Sequence, residues 1–291
     1  MKASTNAIMV KIFLVPFSTN SILMRLFKRF AVENEQIQEK YKYPALCTIS
    51  MRISLILPAH NEEKNLSILV PKILSKYKNF FHEIIIVNDS STDKTEKVSR
   101  NLIKKYGKRI KLVNRQKPNG VGYAIRDGLK NVSKKSEWIM TMDSDFLHNI
   151  KDIKKFIDKV NEGFDGAVGS RFLNNHSLVK YPLTKKIANR AYHFLLRNVL
   201  GLKLKDVTNN FKLYRKEVFD NIELKAGNLA VNAEIGLLPL MKGYRIAEVP
   251  VLWQERDHGK SKFAVFKLGP SYLKVFYRVW KNKKSYKKKS R

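Results

Sequence analysis

Two aspartates separated by one serine, Asp143-Ser144-Asp145, close the hydrophobic run WIMTM, and no other residues in the chain are better suited to chemistry. Two carboxylates leaving a buried strand repel each other and are costly there unless a cation lies between or beside them. Mg2+ or Mn2+ bridging a diphosphate would answer that need, because such an ion prefers one or two carboxylates plus phosphate oxygens to an all-protein cage. Taken alone, the pair reads equally as helix caps, since aspartate is a good N-cap. Their place at the end of a fourth hydrophobic strand favours the metal.

Other polar groups punctuate the chain in the same way. Pro58, Ala59, Asn61 and Glu62 follow a first apolar run; Pro58 fixes the turn, and Glu62 either holds the ribose end of a nucleotide or caps a helix. Asp89 ends a second run and is placed to accept hydrogen bonds from the N–H groups of a nucleotide base. Asp93 and Thr95 suit capping of the next helix. Arg115, with Asn119, Gly120 and Gly122, brings a cation and a close backbone approach. This Gly-x-Gly follows a third strand and lacks a third glycine, which argues against a dinucleotide-binding oxidoreductase. Arg171 in GSRF and Arg256 and Lys262 in ERDHGKSK are cations able to neutralise phosphates, or plain surface groups.

The elements that must position these residues form an α/β pattern. RISLILPA is nearly continuous in apolar residues, as expected of a strand buried on both faces of a parallel sheet. A helix is expected from about Glu62 to Tyr77, then strand HEIIIVND, a helix reaching Lys105, strand RIKLVNR, a loop and helix over NGVGYAIRDGLKN, and strand EWIMTMDSD. Strands alternating with helices at this spacing imply βαβ units. In open parallel sheets, ligands sit at the carboxyl ends of the strands. The polar clusters at 58–62, 88–93, 115–122 and 143–145 all fall at such ends. GAVGSRF is a further strand and loop, residues 184–200 a helix, DVTNNFKLYRKEVF a polar entry to a core element, and YRIAEVPVLW a late strand.

The 291 residues can bury a substantial core. Fifty-seven basic against 25 acidic residues give a formal charge of +32, so an anionic partner is expected: nucleic acid, a phosphate-rich substrate or a membrane surface. Cys47 is the single cysteine, which excludes a disulfide framework and a thiolate zinc cluster. The run Ala7 to Phe17 is too short for a span of about 20 apolar residues and has no cleavage pattern. Residues 1–50 form an N-terminal extension; in it, Ser21 to Tyr43 suggests a basic amphipathic helix that lies on lipid or covers the body of the protein. Met51 stands just before the first strand and is a second candidate start. The catalytic domain is expected over 51–262, and 263–291 is a tail with no acidic residue. In that tail Leu273, Phe276, Tyr277 and Trp280 recur at helical spacing beside Lys274, Arg278 and Lys281, and the aromatic stripe favours a lipid surface over nucleic acid.

LPAHNEEKNL, EIIIVNDSSTDKT, NGVGYAIRDGL, MDSD, GSR, DVTNNFKLY and ERDHGKSK, in this order, make the chain resemble family 2 glycosyltransferases, specifically the branch of dolichyl- or polyprenyl-phosphate mannosyl- and glucosyltransferases. The resemblance implies a GT-A fold, a mostly parallel sheet flanked by helices. It implies that Pro58, Ala59, Glu62 and Asp89 line the nucleotide pocket, and that Asp143 and Asp145 hold the metal and diphosphate. Arg171 and the positions around Thr208 and Asn209 would meet the acceptor phosphate, and Arg256 and Lys262 would close over donor and acceptor. The branch often has a glutamine where this chain has Leu147, and a Ser-Gly where it has Asn209-Asn210. These departures leave the donor (GDP-mannose or UDP-glucose) and the acceptor open. Lacking the transmembrane helices of some relatives, the chain resembles forms that bind membranes peripherally at the cytoplasmic face or lean on a small membrane-protein subunit.

The expected reaction is inverting transfer of a hexose to a dolichyl or polyprenyl phosphate, whose oxygen is already an anionic nucleophile. Positioning and charge neutralisation then suffice. A hydroxyl acceptor, in glycan, glycolipid or polysaccharide synthesis, is the alternative and needs a base, for which Asp206 is the first candidate. A basic nucleic-acid-binding protein is disfavoured, because the aromatics form no base-stacking pattern. A nucleotidyltransferase lacks its phosphate-wrapping loop.

Overall fold

The computed structural model describes residues 51–174, 177–179, 181–254 and 265–288. The expected N-terminal helix, together with Arg256 and Lys262, lies outside the described residues. Seven strands form one sheet in the order β3-β2-β1-β4-β6-β5-β7. In chain order, β1 (Ile53–Ala59) leads to α1 (Glu63–Tyr77), β2 (Phe81–Asp89), α2 (Thr95–Tyr106), β3 (Ile110–Arg115), α3 (Val121–Lys130) and β4 (Trp138–Thr141). These strands pair in parallel, β1 lying between β2 and β4.

Alternation along β1 divides the core in two. Ile53, Leu55 and Leu57 face one side, with Leu66, Leu69 and Ile73 of α1 and Phe156 and Ile157 of α4 (Ile153–Asn161). Ile56 faces the other, with Ile85 and Val87 of β2, Ala124 and Ile125 of α3, and Ile235 and Leu238 of α7 (Val231–Met241). Each such buried side chain contributes about 1.5–3 kcal/mol, an upper estimate. Near the amino end of β2 the buried Glu83 carboxylate accepts from Ser54 Oγ (2.6 Å) and Ser133 N (2.7 Å) and pairs with Lys111 Nζ (2.6 Å). Burial opposes its ionisation, yet Lys111 and these hydrogen bonds hold its carboxyl below the usual range.

The second half breaks the parallel pattern. After β5 (Gly166–Ser170), α5 (Leu183–Leu195) and a turn of π-helix over Leu196–Leu200, the chain enters β6 (Lys212–Arg215), which lies antiparallel to both β4 and β5. The continuous helix expected over 184–200 thus changes pitch at Leu196, and Gly201 ends it at φ +73°. A short α6 (Lys216–Asp220) follows, then α7, β7 (Ile246–Pro250) parallel to β5, α8 (Val265–Lys281) and α9 (Lys283–Lys288).

The C-terminal aromatic stripe divides between two environments. Val275 and Val279 of α8 are buried in the core that contains α7, and Phe276 packs against it. Leu273, Tyr277 and Trp280 are each at least half exposed. On α5, Leu183, Ile187 and Phe194 are exposed to a similar degree.

Candidate active site

A cavity of about 930 Å³ opens at the carboxyl ends of the parallel strands. Its polar end is built from strand termini: Pro58 and Ala59 close β1, Asp89 closes β2, and Asp143, Ser144 and Asp145 follow β4. Ser144 Oγ donates to the Pro58 carbonyl (2.9 Å), tying the aspartate loop to the end of β1. Asn210 Nδ2 donates to Asp143 Oδ1 (2.7 Å), and the Thr141 hydroxyl donates to the Asn210 carbonyl (2.7 Å). The Asn210 carboxamide oxygen is buried and accepts no hydrogen bond.

Asp89 is held by two donors, Arg115 Nη1 at one oxygen and the Gly120 N–H at the other (2.7 Å). Each oxygen retains lone-pair capacity for a base N–H. Arg115 also pairs with Asp127 (2.7 Å), so it fixes Asp89 from behind and does not line the cavity. Gly122 likewise sits outside the lining: its N–H donates to the Gly227 carbonyl, and a Cβ there would lie 2.0 Å from the Ala226 oxygen. Glu62 lines the cavity and accepts from Asn65 (2.6 Å). Asn61, at φ +61°, instead grips the neighbouring loop through Thr92 N (2.8 Å). Asp93 caps as its position suggests, accepting from Thr95 N and Glu63 N at the starts of α2 and α1.

Across the cavity, Arg171 and Asp206 form a buried pair. Arg171 Nε and Nη2 reach the two carboxylate oxygens at 2.7 and 3.0 Å, and Nη2 also donates to the Thr208 hydroxyl at 2.8 Å. Burial raises the Asp206 carboxyl, but the guanidinium outweighs it and holds the group well below the carboxylate range. For Arg171 burial is likewise opposed by Asp206, which keeps the cation charged. The charges therefore largely neutralise each other, and Asp206 is committed to Arg171. Beneath them Lys212 is fully buried and donates to the Asn209 carbonyl; burial pushes its ammonium down to about 7.

Sequence reasoning missed the far arm of the cavity, where Tyr181, Lys185, Tyr192, Trp253, Leu268 and Tyr272 converge from α5, α8 and the loops between. It also missed His60 beside Asp89, whereas Asn119, expected with the loop over 115–122, does line the cavity. These residues come together only through the packing of α5 on α8, seen in the Tyr192–Tyr272 edge contact at 5.4 Å.

Against known proteins, residues 54–223, more than half of the chain, match the model of glycosyl transferase family 2. The chain belongs to that family. This family 2 glycosyltransferase is 30% identical over 238 residues to the dolichol-phosphate mannosyltransferase of Pyrococcus furiosus, aligning 79% of its own length but only 64% of that relative's. It is 25% identical over 249 residues to the polyprenol monophosphomannose synthase of Mycolicibacterium smegmatis, covering 84% of this chain and 93% of that one. Its fold matches the Mycobacterium tuberculosis glucosyl-3-phosphoglycerate synthase solved with Mn2+, UDP-glucose and phosphoglyceric acid, at a TM-score of 0.62 and 17% identity over 84% of this chain and 86% of that one. The same synthase solved with Mg2+ and UDP gives a TM-score of 0.59, at 17% identity over 81% and 83% of the two chains. The sheet and its flanking helices are those of the GT-A fold. Among the described residues no helix is long and apolar enough to cross a membrane.

Proposed function

We propose that this glycosyltransferase moves a hexose, with inversion, from a nucleoside-diphosphate sugar to the phosphate of a polyprenyl lipid at a membrane surface. The observation that carries the lipid acceptor is the shape of the cavity. From the polar donor end it continues past Arg171 into an arm lined by Tyr192, Leu195, Leu268 and Leu273, between α5 and α8, whose outer faces expose Leu183, Ile187, Phe194, Tyr277 and Trp280. Apolar side chains this exposed and this close to a substrate cleft suit an acyl or isoprenoid environment. Lysines and arginines on the same helices suit the anionic cytoplasmic leaflet, where the protein would bind peripherally or beside a small membrane subunit. Residues 51–262 would then be the catalytic domain and 263–291 a surface-seeking tail.

On the donor side Pro58, Ala59, Glu62 and Asp89 would hold the nucleotide, with GDP-mannose and UDP-glucose the candidate donors. Asp143 and Asp145 fit Mg2+ or Mn2+: two carboxylates beside a buried, unpartnered carboxamide oxygen form the all-oxygen donor set such ions favour. When bound, the ion would offset charge on the departing diphosphate. Arg171 and Lys185 would orient the acceptor phosphate, one of whose oxygens bonds to the anomeric carbon as the bond to the nucleoside diphosphate breaks. No proton need move. Because Asp206 is held by Arg171 and Thr208, it is poorly placed to serve as a base, which favours an anionic nucleophile. Arg256 and Lys262 would close over the diphosphate.

A hydroxyl acceptor is the second reading. It is supported by the shared fold of a synthase that binds UDP-glucose together with phosphoglyceric acid. Both readings give Arg171 an acceptor phosphate. Radiolabelled GDP-mannose and UDP-glucose, each offered polyprenyl phosphate or phosphoglycerate with and without Mn2+, separate them. A metal-dependent lipid product, lost in Asp145→Ala, is expected. Label appearing only in phosphoglycerate would replace the lipid reading with the second one.

A further inference from the structure

The loop between α6 and α7 lies between the surface helix α8 and the nucleotide side of the cavity, and it is bonded to both. Glu234 of α7 is fully buried; it accepts Lys225 N at 2.8 Å and Ala226 N at 3.0 Å, and pairs with Arg278 of α8. Two further contacts strap the loop to α8: Asn228 Nδ2 donates to Ser271 Oγ (2.8 Å), and the Tyr272 hydroxyl donates to the Leu229 carbonyl (3.1 Å).

The other side of the loop meets the glycine segment that fixes Asp89. The Gly227 carbonyl accepts the Gly122 N–H at 3.0 Å, and the Ala226 carbonyl accepts Arg126 Nη1 at 2.8 Å. A Cβ on Gly120 would lie 2.2 Å from the Gly227 oxygen. Gly120 N in turn donates to Asp89 Oδ2 at 2.7 Å. Close-packed contacts of this kind have no slack, so a shift of the loop must pass to Gly120 and from there to Asp89.

We propose that this loop is a brace by which α8 sets the geometry of the donor pocket, and that Arg278 and Glu234 are positioning residues for nucleotide binding. The inference rests on the nucleotide-sugar reading above. It also makes the helix whose outer face meets lipid the same helix that holds the nucleotide site in shape.

Calorimetric titration of the full chain with UDP and with GDP, in the presence of Mn2+, tests it. Arg278→Met is expected to weaken the bound nucleotide about tenfold, within the range typical of mutations that act through intervening contacts. Donor KM should rise with it, while kcat and acceptor KM stay within about twofold. Arg278→Lys should recover most of the loss. Should Arg278→Met fail to melt cooperatively, Ser271→Ala, which removes the Asn228–Ser271 hydrogen bond alone, carries the test with an expected loss of about threefold. Nucleotide affinity equal to wild type in a folded variant overturns the brace. A wild-type chain that binds neither nucleotide overturns the donor reading itself, a result distinct from the first.

Discussion

Replacing Asp206 with asparagine tests whether the Arg171–Asp206 pair is a structural anchor. The carboxylate accepts from Arg171 N, Nε and Nη2 at 3.2, 2.7 and 3.0 Å, and from Thr208 N and Oγ1 at 3.0 Å each. Asparagine keeps the shape but loses the charge, and it turns an N–H2 toward a guanidinium that has only donors. Removing one partner of a buried pair costs about 3–5 kcal/mol, against a total stability of about 5–15 kcal/mol. With a urea dependence of about 3 kcal/mol per molar, the midpoint should fall by about 1–2 M near pH 7. The folded carboxyl lies below its unfolded value of about 3.9, so its contribution is complete above that value and is lost as pH falls toward the folded one. Urea melts of both proteins, followed by circular dichroism and fluorescence, should therefore show a gap that is widest near pH 7 and narrows below about pH 4. A gap under about 1 kcal/mol at neutral pH, or one that widens in acid, would refute the reasoning.

Lys212→Met should stabilise the protein by about 1–2 kcal/mol near pH 7, because the apolar chain avoids burying an ammonium while leaving the Asn209 carbonyl short of a donor. With the folded value of Lys212 at about 7, below its unfolded value, wild-type stability rises with pH between the two, so urea melts should show the gain shrinking toward pH 10. Ile187→Glu together with Leu273→Glu removes two exposed apolar contacts and should weaken sedimentation with anionic vesicles at least tenfold, since each contact contributes up to about 1.5–3 kcal/mol. Chelation of divalent ions, or Asp145→Ala, should lower the rate of sugar transfer by about a hundredfold or more, and excess Mn2+ should restore only the chelated wild-type enzyme.

The strand-end half of the cavity was legible in the sequence because it is made of local signals. A hydrophobic run ends, a polar residue follows, and in a parallel sheet that junction is a site; Pro58, Asp89, Asp143 and Asp145 all reach the cavity by this rule. Arg115 and Gly122 were found by the same signals but act one layer back, because a residue at a strand end can support a neighbour as readily as it can face a ligand. The rest depended on distant packing. The Arg171–Asp206 bond joins residues 35 positions apart, and the apolar arm needs α5 to meet α8. The stripe on α8 is divided for a related reason: helical spacing groups Phe276 with Leu273, Tyr277 and Trp280, but the packing of α8 against the core turns Phe276 inward and leaves the other three exposed.

The reversed direction of β6 has a consequence for how such a protein can change over time. The end of the cavity assigned above to the donor is assembled from the carboxyl termini of parallel strands, whereas residues 206–210 reach the same side from the amino terminus of the antiparallel β6. One half of the cavity is thus written in several βα junctions that cannot alter without disturbing the sheet. The other half is written in a single stretch leading into one strand. Substitutions at Thr208 and Asn209 can be sampled by evolution or by design while those junctions stay unchanged, whereas Asn210 is tied to Asp143; on the reading proposed above, the partner that receives the sugar is then the more readily exchanged component.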